Sequence, residues 1–201
     1  MLLLVIAVVF VRQRSLGEVL VHDAGKVYRS GYVSEELFRQ SLGRYGVRTF
    51  VMLCTDEEKQ AAERLTWRYR VAVRDVGGKF IDLPFPSADS WHVKEWPYRK
   101  LERLLRDPAS YPVWVCSANG KDRAIKAMVV YDVQQRGMTA RDSLLAMPEA
   151  EHHAWPVIAF AHTYQSWHEM QLAAARQQNE PPSPVTASTR AAARTSAATQ
   201  Q

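Results

Sequence analysis

Short apolar, β-rich runs alternate with helical stretches along most of this chain, and that alternation constrains its fold more than any other feature. Val47–Leu53 (VRTFVML), Phe80–Phe85 (FIDLPF) and Tyr111–Cys116 (YPVWVC) read as strands, the first of them buried. A helix is expected between Ser34, a good N-cap, and Gly46, because Leu37, Phe38, Ser41, Leu42 and Tyr45 recur at helical spacing. A second should run from Thr55 to about Arg74, with Asp56, Glu57 and Glu58 in its first turn and Gly77-Gly78 as its breaker. Further helical patterns cover Trp91–Arg106, Asp122–Arg136, Thr139–Met147 and Trp155–Arg176. Residues 18–30 (EVLVHDAGKVYRS) suggest two short strands around a turn. The expected class is α/β, with a central, mostly parallel sheet flanked by helices.

The 201 residues fit one domain with tails. We expect an apolar N-terminal segment at 1–14, a folded domain at 15–176 and a disordered tail at 177–201. That tail is proline, serine, threonine, alanine and glutamine with little apolar bulk, too little to offset its ordering entropy. The net charge of +5 is modest, and the tryptophans and tyrosines scatter through core stripes without a visible basic groove, so nucleic acid is not an expected partner. Two cysteines, Cys54 and Cys116, are too few for a disulfide framework and suit a reducing compartment. His152, His153, His162 and His168, with Glu149, Glu151 and Glu169, fit no metal-ligand spacing, so no metal is expected.

Leu2–Val11 is apolar without a break but shorter than the roughly 20 residues a bilayer span needs. It lacks a basic n-region and a cleavage site. Two readings stay open. It is the end of a membrane anchor, with Arg12 and Arg14 keeping the domain on the cytoplasmic side, or it is a buried strand or unstructured end. The expected location is cytoplasmic, free or attached to the inner face of the membrane through residues 2–11.

The segment Val113–Ala124 (VWVCSANGKDRA) carries chemistry. It runs strand, tight loop, helix. Backbone N–H groups of such a loop can converge on one point, where the new helix adds the positive end of its dipole. Gly120 permits close backbone approach. Arg123 offers a planar fork matched to phosphate oxygens, and Lys121 adds a second cation. Ala118, Asn119, Gly120, Lys121, Asp122 and Arg123 are therefore the expected phosphate-binding residues, with no cofactor required.

Here the chain resembles the tyrosine and dual-specificity phosphatases, in particular bacterial dual-specificity-like members. Gly120-Lys121-Asp122-Arg123 matches the family loop. Val27-Tyr28-Arg29-Ser30-Gly31, Tyr45-Gly46-Val47-Arg48-Thr49 and Gly137-Met138-Thr139-Ala140-Arg141-Asp142 resemble family segments in the same order, so the likeness covers about residues 18–150. Counted back from Arg123, the nucleophile position falls on Ser117, where the family has cysteine. The family histidine is Cys116 here, and the hydroxyl residue after the arginine is Ala124. These three positions make and discharge a thiolate in the family; the positions that hold phosphate remain.

A thiol of ordinary pKa near 8.5 becomes a thiolate at neutral pH beside a helix N-terminus and an arginine. A serine hydroxyl needs an adjacent base, and this loop has no histidine. The expectation is a module that binds a phosphorylated protein, a phosphoinositide or a small phosphate ester without efficient turnover. One alternative is an active phosphomonoesterase using Cys116 as nucleophile or Ser117 with an unseen base; another is an interaction domain whose loop binds nothing. The resemblance also implies a general acid on a separate loop, for which Asp89 is a better candidate than Asp82; a helix cap is the competing role for Asp89. Arg29 lies either beside the phosphate loop, as the resemblance implies, or at a strand-end surface.

Overall fold

A computed structural model describes residues 18–85, 96–147 and 155–179. The apolar segment at 1–14, Asp89 in 86–95, the stretch 148–154 and the tail from 180 lie outside the described residues. The chain divides into two compact units, Met1–Gln165 and Ser166–Gln201, and the sheet belongs to the first.

A hairpin opens the fold: β1 (Leu20–Asp23) and β2 (Val27–Ser30) pair antiparallel around Gly25. Then follow α1 (Glu35–Tyr45), β3 (Thr49–Cys54), α2 (Asp56–Ala61), α3 (Glu63–Asp75), β4 (Lys79–Pro84), α4 (Trp96–Arg106), β5 (Val113–Ser117), α5 (Asp122–Gln135), α6 (Ala140–Ala146) and α7 (Trp155–Asn179). The strand order is β1-β2-β5-β3-β4. All pairs except β1–β2 are parallel, as the strand–helix alternation predicts.

Strand side chains alternate between two faces. Tyr28, Phe50, Met52, Cys54, Trp114 and Cys116 join Phe38 and Leu42 of α1 and Tyr69, Ala72 and Val73 of α3 in one core cluster. Phe38 stacks on Tyr69 with centroids 3.9 Å apart and meets Phe50 edge-on at 4.9 Å. Each such side chain contributes about 1.5–3 kcal/mol by burial. Val51, Leu53, Val113 and Val115 are equally buried, and the alternation turns them to the opposite face of the sheet.

The helix expected from Thr55 to about Arg74 is two helices, broken at Ala62 (φ −111°, ψ 22°). The two pieces answer to different anchors. α3 is fixed by core burial of Tyr69, Ala72 and Val73, whereas α2 buries no residue and is held by the ion pairs of Glu58 and Lys59. Among the described residues, no helix is long and apolar enough to cross a membrane.

On the face of the sheet that carries Arg29, a polar knot ties β1 to α5. Asp132, fully buried, accepts from His22 Nε2 (2.9 Å), Ser143 Oγ (2.6 Å) and Arg136 Nη1 (3.0 Å). Burial alone would raise its pKa, but these three partners outweigh it and hold the carboxyl below the ordinary aspartate value.

Candidate functional site

The parallel strands β2, β5, β3 and β4 all end on one side, and the loops that follow them share that side. In the register, Ser30 lies opposite Cys116 and Leu53 opposite Ser117. The loop after β5 is thereby set between the loops after β2 and β3.

This loop is seated on Ser30–Tyr32. Gly120 has φ +70°, and a Cβ there would lie 2.2 Å from the Gly31 amide nitrogen and 2.7 Å from the Ser30 carbonyl carbon. Only glycine fits that conformation and that approach. Two loop carbonyls are engaged: Gly120 accepts from the buried Arg29 Nη1 at 3.1 Å, and Ala118 accepts from the Tyr32 amide at 3.3 Å. Arg29 therefore lies beside this loop. The Lys121 amide donates to Asn119 Oδ1 at 2.9 Å, while those of Ala118, Asn119, Gly120, Asp122 and Arg123 meet no acceptor among the described residues.

Arg123 stands in the first turn of α5 with its side chain 3 % exposed. Its Nη2 donates to Glu58 Oε1, and its Nη1 has no partner among the described residues. Glu58 is one of two residues beside the loop that sequence reasoning missed. It was visible as an acid in a helix first turn, and it does form a capping box with Thr55, whose amide it accepts at 2.9 Å. Its second role needs the β3–β5 pairing, which brings the start of α2 to the start of α5. Burial would raise the Glu58 pKa, but the bonds from Arg123 and the Thr55 amide prevail and keep it below the usual glutamate value.

Ser117 is fully buried, and its Oγ has no hydrogen-bond partner among the described residues. The Tyr32 hydroxyl, also missed, is buried without a hydrogen-bond partner among the described residues, within electrostatic reach of Cys54, Cys116, Glu58 and Arg123. Burial, reinforced by both cysteines and Glu58, raises its pKa and keeps it protonated. Cys116 faces the aromatic core and donates to the Gly31 carbonyl at 3.3 Å; burial pushes its thiol up to about 12. Burial likewise pushes Cys54 up to about 11, and both cysteines are free thiols. Asp82 is committed to Lys59, with Arg70 at 3.7 Å. Lys121 is exposed and Asp122 half-buried. Among the described residues, no cluster of His, Cys, Asp or Glu could hold a metal.

The unpartnered atoms share a chemistry. Ser117 Oγ, Tyr32 Oη, Arg123 Nη1 and the free loop amides are all donors. A buried donor without an acceptor costs about 1–3 kcal/mol. One group that satisfies such a set at the N-terminus of a helix is an oxyanion.

No protein-family model matches the chain, and no curated protein matches it in sequence. Solved structures do. PTPMT1 aligns with a TM-score of 0.57 and 12 % identity, over 80 % of this chain and 99 % of that one. The core catalytic domain of the PP-IP phosphatase SIW14 from S. cerevisiae, solved with citrate, aligns with a TM-score of 0.52 and 16 % identity, over 78 % and 91 %. TpbA of P. aeruginosa aligns with a TM-score of 0.51 and 17 % identity, over 82 % and 99 %. The chain shares its fold with these proteins.

Proposed function

We propose that this protein binds a phosphoryl group in the Ser117–Arg123 loop and does not hydrolyse it efficiently. The observation that carries this reading is that, among the described residues, Ser117, Arg123 and the neighbouring Tyr32 each hold an unpartnered buried donor in or beside a loop with unengaged amides. Phosphate oxygens supply the acceptors, and Arg123 supplies charge.

The same geometry argues against turnover. Ser117 Oγ has no hydrogen-bond partner among the described residues, so none of them stands ready as a base to take its proton. Cys116 carries the more acidic group, but its sulfur lies in the aromatic core on a strand position adjacent to Ser117, which turns it to the opposite face. With a pKa near 12 it is a thiol at neutral pH. The ligand would be a phosphorylated protein, a phosphoinositide or a small phosphate ester; the comparison proteins support the phosphate-ester class.

The test is p-nitrophenyl phosphate hydrolysis by the natural protein, by Cys116→Ala, and by Ser117→Cys combined with Cys116→His and Ala124→Thr. Activity confined to the triple variant is expected. Activity in the natural protein that disappears in Cys116→Ala would overturn the reading.

A further inference from the structure

We infer that Asn119 is a modification site: the loop converts its side chain to aspartate or isoaspartate through attack by the Gly120 amide, and the new carboxylate closes the cradle. A second part, that a bound phosphoryl group suppresses the conversion, rests on the binding reading above.

The chain has two asparagines, Asn119 and Asn179, and only Asn119 precedes glycine. With no Cβ on Gly120, nothing on the attacking residue crowds a new bond to its nitrogen. The fold brings the reacting groups together. Asn119 is exposed, and its side chain folds back over the next peptide, with Oδ1 accepting from the Lys121 amide at 2.9 Å. The ring closed by that bond contains the Gly120 nitrogen, so the side-chain carbonyl is held on the same short loop as its attacker. The Gly120 amide itself meets no acceptor among the described residues. Oδ1 is also the atom that gains charge during the attack. The Lys121 amide already points at it, and α5 starts at Asp122. A donor and a helix dipole aimed at a developing oxyanion lower the barrier to its formation.

The step balances with water alone. A base from solvent takes the Gly120 amide proton, and the nitrogen bonds to Asn119 Cγ while the carbonyl electron pair moves onto Oδ1. The intermediate collapses, the Cγ–Nδ2 bond breaks, and Nδ2 leaves as ammonia with a proton from water. Water then opens the cyclic imide at either carbonyl. One opening gives aspartate; the other gives isoaspartate, whose backbone is longer by a methylene.

Either product puts a carboxylate where the cradle takes an anion. It accepts from the Lys121 amide more strongly than the neutral carboxamide does. Its charge repels a phosphoryl dianion. Of the charged groups in the loop, Arg123 is engaged by Glu58, Asp122 adds to the repulsion, and the exposed Lys121 ammonium offsets it only across solvent. A bound phosphoryl group works the other way: by accepting the Gly120 N–H, it keeps that nitrogen from attack.

The experiment ages the full chain at constant temperature and pH, with and without tungstate, beside a sample unfolded in urea. Peptides carrying Asn119 and Asn179 are followed by mass spectrometry, and tungstate binding is read from thermal unfolding. We expect a gain of about one dalton and one negative charge at Asn119 and none at Asn179, at least as fast in the folded chain as in urea. At a tungstate concentration about ten times its Kd, about one molecule in eleven keeps the site empty, so conversion should slow about tenfold. The converted protein and Asn119→Asp should each bind tungstate about tenfold more weakly than the fresh protein. Conversion in urea but not in the folded chain overturns the modification site. An Asn119→Asp protein that binds tungstate as tightly as wild type overturns the closing of the cradle. Conversion that tungstate does not slow, although tungstate raises Tm, overturns the protection and spares the binding reading. Conversion with no tungstate stabilisation at all overturns the binding reading and the protection with it, while the modification stands.

Discussion

Gly120→Ala tests the loop at the point where the fold holds it most tightly. The position has φ +70°, where an L-residue pays about 1 kcal/mol or more. The added Cβ would also stand 2.2 Å from the Gly31 nitrogen, a backbone atom that cannot rotate aside. Forcing atoms into packed space costs about 1–3 kcal/mol more. The sum, about 2–4 kcal/mol, lowers Tm by about 4–16 °C in a chain of this size. Binding should suffer separately. Clearing the clash moves the loop by about an ångström, and a misplacement of that size can cost about a hundredfold. At a tungstate concentration 100 times the wild-type Kd, stabilisation of about 2.7 kcal/mol should shrink to about 0.4 kcal/mol. The control is Gly25→Ala, at φ +76° in open space, which carries the backbone cost without the clash. The assay is thermal unfolding of the three proteins with and without tungstate. A Gly120→Ala protein that keeps the full tungstate shift would refute the claim that the loop amides form the cradle.

Other perturbations follow from the same contacts. The Glu58 carboxyl is held below its ordinary pKa, so its contribution to stability is full above the unfolded value of about 4.3 and is lost as pH falls through the lower folded value. The Tm difference between wild type and Glu58→Gln should therefore be constant near neutrality and close below about pH 4; a difference that persists unchanged in acid would contradict the pairing. Asp132→Ala removes the acceptor shared by His22, Ser143 and Arg136, and denaturant unfolding should show a loss of about 3 kcal/mol. That variant leaves the loop contacts untouched, so its tungstate affinity should match wild type.

Much of the fold was legible because strands and helices obey different periods. Phe50, Met52 and Trp114, Cys116 alternate as strand residues do, and the glycines at 46 and 137 lie just beyond helices where they were expected. The loop was legible because its glycine, cation and arginine are local in sequence. Glu58 and Tyr32 were not, because what makes them part of the site is pairing between strands distant in the chain. Thr55-Asp56-Glu57-Glu58 signals a helix start and nothing more until Leu53 is known to lie opposite Ser117. The break at Ala62 was hidden for a related reason: helix propensity runs through it, and only tertiary anchors divide α2 from α3.

The whole account rests on grip without attack, and one calorimeter cell can read both. Phosphotyrosine is titrated into the natural protein, and inorganic phosphate is then assayed in the same solution. Saturable heat that Arg123→Ala abolishes, with no phosphate above the buffer blank, is the predicted result. Phosphate accumulating in proportion to protein, or a titration without heat in wild type and variant alike, would contradict it.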